Sequence, residues 1–142
     1  MDKREFLEYK GISPFPQDFD TFWDKEIKKA DIHFENELVY ELTEKNFNIS
    51  FARCYNLYFN SIGNAKIYSK MIVPANIKGK IPFLLIFHGY QGQSSDWSKY
   101  MGYVASGMGI VLMDVRGQAG KSQDNTIFDG MTVRGHIIRG LS

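Results

Sequence analysis

The sequence predicts a mixed α/β fold in which an N-terminal helix and an antiparallel hairpin lead into a parallel βαβ unit, with the sheet left incomplete. Two observations carry this. Residues 47–60 alternate strictly, Phe47, Ile49, Phe51, Tyr55, Leu57 and Phe59 against Asn48, Ser50, Ala52, Asn56 and Asn60, the period of a half-buried strand. Further on, Phe83–Phe87 and Ile110–Met113 are continuously apolar, the pattern of strands buried on both faces.

The elements follow in order. Ser13-Pro14-Phe15-Pro16 breaks the chain and introduces a helix over 17–30, with Phe19, Phe22, Trp23 and Ile27 on one packing face, acids at its start and Lys25, Lys28 and Lys29 at its end. Ser61-Ile62-Gly63-Asn64 supplies turn chemistry between the alternating strand and a second one over 65–73, stopped by Pro74. A turn this short joins only antiparallel strands. After the apolar run 82–87 comes a Gly-rich loop and a helix over 98–108, ending near Gly107 and Gly109, then the strand 110–113. Strand, helix and strand make a right-handed parallel crossover. Residues 116–142 are rich in Gly, Asp, Asn, Gln and Ser and hold no convincing strand. A loop of that length is uncommon inside a domain, and the apolar strand around Phe83–Phe87 is left as an uncovered edge that favours aggregation. Residues 1–142 are read as a single partial domain cut from a longer protein.

Composition excludes several function classes. Apolar residues make up 44% and charged residues 23% of the 142, ordinary for a globular protein. Seventeen Lys and Arg against 16 Asp and Glu give a net charge of +1, without the basic face of a nucleic-acid binder. Cys54 is the only cysteine, so no internal disulfide or cysteine-rich metal site forms, and it reads as a small core residue. His33, His88 and His136 lack metal-ligand spacing. The N-terminus has no signal-peptide pattern, and the apolar runs fall far short of the ~20 residues a membrane span needs, so the expectation is a cytoplasmic protein.

Ligands of open α/β sheets bind beyond the carboxyl ends of the strands. Two loops lie there: His88-Gly89-Tyr90-Gln91-Gly92 and Asp114-Val115-Arg116-Gly117-Gln118-Ala119-Gly120. A His-Gly pair after an apolar strand matches an α/β-hydrolase oxyanion loop, whose backbone N–H groups face a developing negative charge. A plain strand-to-helix turn gives the same pair. In the second loop, Gly120-Lys121-Ser122 imitates a phosphate-binding loop, but that motif needs glycine where Val115 stands, so nucleotide binding is rejected. No G-x-S-x-G occurs; Ser94 and Ser95 lie off any strand-to-helix elbow, and His88 reads as fixing loop shape.

Taken together, Phe87-His88-Gly89-Tyr90, Asp96-Trp97, Met113-Asp114-Val115-Arg116-Gly117-Gln118 with Gly120 and Ser122-Gln123-Asp124, the early Pro16-Gln17-Asp18-Phe19-Asp20 with Trp23, and Gly135-His136-Ile137-Ile138-Arg139-Gly140 resemble the acetyl xylan esterase / cephalosporin-C deacetylase family, carbohydrate esterase family seven. The resemblance runs in order along nearly the whole chain. It implies an α/β-hydrolase with a Ser-Asp-His triad that deacetylates short acetylated sugars and cephalosporin C, without metal or organic cofactor, as a cytoplasmic hexamer. Tyr90 matches the tyrosine whose backbone N–H forms half of the oxyanion hole. His88, Gly89, Arg116, Gly117 and Gln118 match site-shaping positions, with Asp114 or Asp124 as carboxylate partners for Arg116. The family's triad lies downstream of the Gly135–Gly140 segment, so the chain as given carries none of it and is expected to be inactive alone. A non-enzymatic binding module with the same half-fold, and another α/β hydrolase sharing the His-Gly loop, are the competing readings.

Overall fold

The computed structural model describes residues 2–9, 11 and 16–125. The Ser13–Phe15 break and the Gly135–Gly140 segment, with His136, lie outside the described residues. Helices α1 (Lys3–Glu8) and α2 (Phe19–Glu37) precede strands β1 (Tyr40–Lys45), β2 (Ala52–Ser61), β3 (Ala65–Pro74) and β4 (Phe83–Phe87), helix α3 (Met101–Ala105) and strand β5 (Gly109–Met113). They build one five-stranded sheet in the order β1-β2-β3-β5-β4. β1, β2, β3 and β5 pair antiparallel in turn, and only β4 with β5 is parallel. This is the expected hairpin and crossover, joined through β3 and β5.

Two elements go beyond the expectation. α1 is nucleated by a reciprocal cap: Asp2 accepts from the Arg4 and Glu5 N–H groups, and the Glu5 carboxylate accepts from the Asp2 N–H. β1 is exposed along its whole length, so it shows no burial alternation and its charges sit where a sheet edge places them.

Other boundaries move for local reasons. α2 continues past residue 30 to Glu37, which places the lysines in mid-helix and leaves no base in the last turn, contrary to the expected dipole arrangement. Its end is tied down by Asn60, whose amide donates to Glu37 O (2.8 Å) and accepts from Val39 N (2.6 Å). The Phe19–Ile27 stripe is exposed instead of packed. β2 begins at Ala52, because Phe47–Phe51 turns away: Ile49 N–H donates to Phe47 O, and Phe47 packs against the Trp97 ring at 5.5 Å. The core takes the small Ala52 and Cys54 from β2, together with Ile72, Val104, Ile110 and Leu112. The larger Tyr55, Leu57 and Phe59 are only half-buried.

Neither strand expected to be buried on both faces is fully so: β5 buries Ile110 and Leu112 on one face and half-buries Val111 and Met113 on the other, and β4 is more exposed still. Among the described residues β4 pairs on one side only, and its Leu85 and Phe87 are about 60% exposed. Within that set it is the uncovered apolar edge. α3 is shorter than expected because residues 97–100 close as turns, with Asp96 capping Ser98 N and Oγ. Its end is a Schellman motif: Met108 N–H reaches Tyr103 O and Gly107 N–H reaches Val104 O, with Gly107 at φ 93°.

Candidate active-site loops

The loops after β4 and β5 leave the sheet side by side, as parallel neighbours require. Residues 89–92 form a tight turn closed by Gly92 N–H to Gly89 O (3.0 Å). Tyr90 is its second residue, and Gln91, the third, has φ 60°, a left-handed conformation that costs a non-glycine residue about 1–2 kcal/mol. Gly92 is obligatory for space: a Cβ there would stand 2.8 Å from Gly89 O and 3.0 Å from His88 Nδ1.

Three side chains lace this turn to the second loop. Gln118 Oε1 accepts the Gln91 N–H at 2.7 Å, which holds the strained residue in place. His88 Nε2 accepts the Val115 N–H at 2.9 Å. That bond needs a lone pair on Nε2, so the proton sits on Nδ1, which donates to Gly89 O at 2.8 Å. Asp114, 2% exposed, accepts the Ser94 N–H on Oδ1 and the Lys121 N–H on Oδ2 (2.8 Å). Gly120 (φ 104°) gives that carboxylate room, since a Cβ there would come within 2.5 Å of its Cγ.

The second loop is fastened to the sheet as well. Ser122 Oγ donates to Asp114 O (2.6 Å) and accepts from Tyr68 N (2.8 Å). Gly117 turns at φ 71°. Arg116 donates to Ile62 O (3.0 Å) and pairs with Asp124 (3.3 Å), whose side chain is 1% exposed. Of the two carboxylates expected for Arg116, Asp124 takes it; Asp114 is turned inward onto backbone N–H groups. The imitation of a phosphate loop fails structurally too, for no helix follows Ser122 among the described residues, and the Lys121 N–H is spent on Asp114.

His33 and Ser95 each have other partners. His33 contacts Glu37 (2.9 Å) and the Asn60 carbonyl (3.4 Å) at the far end of α2. Ser95 faces lysines, with its carbonyl accepting from Lys70 Nζ at 2.7 Å. Among the described residues, no group of three or more His, Cys, Asp and Glu side chains could hold a metal ion, and no helix is long and apolar enough to cross a membrane. Asp114, Gly120 and Ser122 are the residues that sequence reasoning undervalued. Their roles depend on backbone N–H groups brought in from 7 to 54 residues away, which no local pattern announces.

A sheet of this topology, with a laced loop after its apolar edge strand, defines an α/β-hydrolase-type architecture. The chain matches the acetyl xylan esterase (AXE1) family over residues 1–142, and it belongs to that family. Among solved structures it is similar to acetyl xylan esterase 1 from Thermoanaerobacterium sp. JW/SL YS485, with 44% identity, a TM-score of 0.85, all of this chain covered and 44% of that one. The acetyl xylan esterase from Paenibacillus sp. R4, at 22% identity and TM-score 0.77, covers 92% of this chain and 42% of that one, and shows the shared fold. The chain thus spans less than half the length of these solved relatives. No curated protein matches it.

Proposed function

We propose that this chain supplies the oxyanion-loop portion of a serine carboxylesterase that removes acetyl groups from short acetylated sugars. The observation that carries this is the 89–92 turn, held in a strained conformation by Gln118 and His88 at the carboxyl end of β4. Backbone strain of this kind is kept where the surrounding structure over-determines it for use. In this reading the Tyr90 N–H donates to the oxygen of the tetrahedral intermediate, where charge develops as the acyl carbonyl is attacked. Both His88 nitrogens are committed to backbone groups, so the imidazole is a fastener and not the general base.

The nucleophile, its base and the second oxyanion donor belong to a part of the fold that this sequence does not contain. The solved relatives, of which the chain spans less than half, have the further length for them. Deacetylation of cephalosporin C, hexameric assembly of the complete enzyme and a cytoplasmic location belong to the same proposal, supported by the family resemblance. The balanced charge supports a sugar ester over a nucleic-acid partner.

The test joins residues 1–142 to the portion of the Thermoanaerobacterium esterase that lies beyond the match. The expected result is acetate release from acetylated xylo-oligosaccharides and from p-nitrophenyl acetate, abolished when the appended nucleophile is replaced by alanine. The 142-residue chain alone is expected to show no turnover above a heat-denatured control. A folded chimera that releases no acetate refutes the proposal.

A further inference from the structure

Behind the oxyanion-type loop, on the core side of the sheet, a cavity of about 180 Å³ is lined by Lys45, Asn56, Lys70, Gln93, Trp97 and Lys121, with the Tyr68 ring and the Asp114 carboxylate in its wall. Three lysines line it, from β1, β3 and the second loop. Among the described residues none of the three has an ion-pair partner. Three lysines against the one carboxylate in the wall leave the cavity net positive, and that carboxylate's two oxygens are engaged by the Ser94 and Lys121 N–H groups.

Two of the cations are held in place. Lys70 donates to Ser95 O at 2.7 Å and lies 5.4 Å from the Trp97 ring centre; Lys121 lies over the Tyr68 ring at 4.7 Å. Burial pulls the Lys70 ammonium below the usual lysine range; Asp114 and Asp96 oppose that, and Lys121 adds to it. An arriving negative charge relieves such a site. Tyr68 O–H donates to Asn56 Oδ1 (2.8 Å), which fixes the orientation of the Asn56 amide and assigns its NH₂ as a donor.

From this arrangement we infer that the Lys45–Lys70–Lys121 cavity is a binding site for an oxyanion carried on a small polar ligand, distinct from the oxyanion loop. The oxyanion assignment stands on the cavity alone. Reading it as the carboxylate of an acidic sugar, seated beside a sugar ester, rests on the proposed esterase function; a free phosphate presents the same chemistry. Ordered cations with a neutral amide donor suit either group.

Trp97 lines the cavity and reports on it once Trp23, the only other tryptophan, is replaced by phenylalanine. Glucuronate, inorganic phosphate and neutral glucose are titrated into the W23F chain of 142 residues. Saturable change in Trp97 fluorescence is expected with the two anions and not with glucose, weakened by salt. The variant Lys45→Gln/Lys121→Gln, which alters only exposed side chains, is expected to raise Kd by about tenfold or more. Lys78→Gln/Lys80→Gln removes equal charge outside the cavity and is expected to leave Kd unchanged. Tighter glucuronate than phosphate assigns the acidic sugar; the reverse keeps the oxyanion site and removes the sugar reading. A matching response to glucose, no saturation with either anion, retained affinity in the Lys45/Lys121 variant, or equal loss in the Lys78/Lys80 variant overturns the site. Because the readout is binding, its failure is distinguishable from failure of the esterase reading.

Discussion

Replacing Gly120 by alanine tests the claim that one buried carboxylate locks the two loops together. The substitution carries two penalties. The backbone at φ 104° is a glycine conformation, and an L-residue there costs about 1–3 kcal/mol. The new Cβ would also stand 2.5 Å from the Asp114 Cγ, so the carboxylate must swing away from the Lys121 N–H. A charged hydrogen bond of that kind is worth about 1.5–3 kcal/mol. The expected loss is therefore about 2.5–6 kcal/mol, and at about 3 °C per kcal/mol for a chain of this size, Tm falls by roughly 8–18 °C. Thermal and urea unfolding followed by circular dichroism measure it. A double-mutant cycle with Asp114→Ala isolates the contact, because removing the carboxylate leaves only the backbone penalty. The coupling should exceed about 1 kcal/mol. Equal penalties for Gly120→Ala in both backgrounds, or a Tm change within about 2 °C in the parent, would show that Asp114 and Gly120 do not act together.

Three further outcomes follow from the same geometry. Gln118→Ala leaves the Gln91 N–H without its acceptor, at a cost of about 0.5–1.5 kcal/mol, so hydrogen exchange at that amide should quicken by about 2- to 12-fold; an unchanged rate contradicts the latch. Bonds from the Ser98 hydroxyl and N–H, with Lys70 nearby, hold the Asp96 carboxyl below its ordinary value of 3.8. Its contribution is therefore complete above that value and lost as pH falls through the lower folded one; carboxyl NMR titration should place its midpoint under 3.8, and Asp96→Asn should flatten the acid limb of the stability curve. Burial pushes the Cys54 thiol up, so a disulfide reagent should label it only as fast as the chain unfolds; rapid labelling of the native chain would place Cys54 outside the core.

The sheet was readable where burial imposes a period. The β2–β3 hairpin, the apolar β4 and β5 and the Gly107 stop all follow from residue type and spacing. What escaped has a physical reason in each case. β1 is exposed throughout, and in Tyr40–Lys45 only Tyr40 and Leu42 alternate with polar residues, too short a pattern to stand out. β4 has the composition of an interior strand but lies at the margin, because composition records which neighbours a strand suits and not which are present. The Asp2–Glu5 cap was visible as a pattern, and α1 could have been read from it. At the site, His88 and Gln118, expected as loop-shaping residues, bond to the backbone of the two loops. The partner of Arg116 was narrowed to two carboxylates, and only the fold shows that the other one serves backbone N–H groups.

The turn at Ile62–Asn64, introduced as a simple hairpin closure, also has a remote effect. Since β3 runs antiparallel to β5, that turn arrives at the same end of the sheet as the two loops. Its carbonyls take up Arg116 from Ile62, and Asn125 from Gly63 and Asn64. The hairpin is therefore a gauge block for the second loop: its length sets how far Arg116 reaches. A one-residue change there shifts that reach without altering β4 or β5. A surface turn thereby sets the position of a loop that follows it by some fifty residues in the chain.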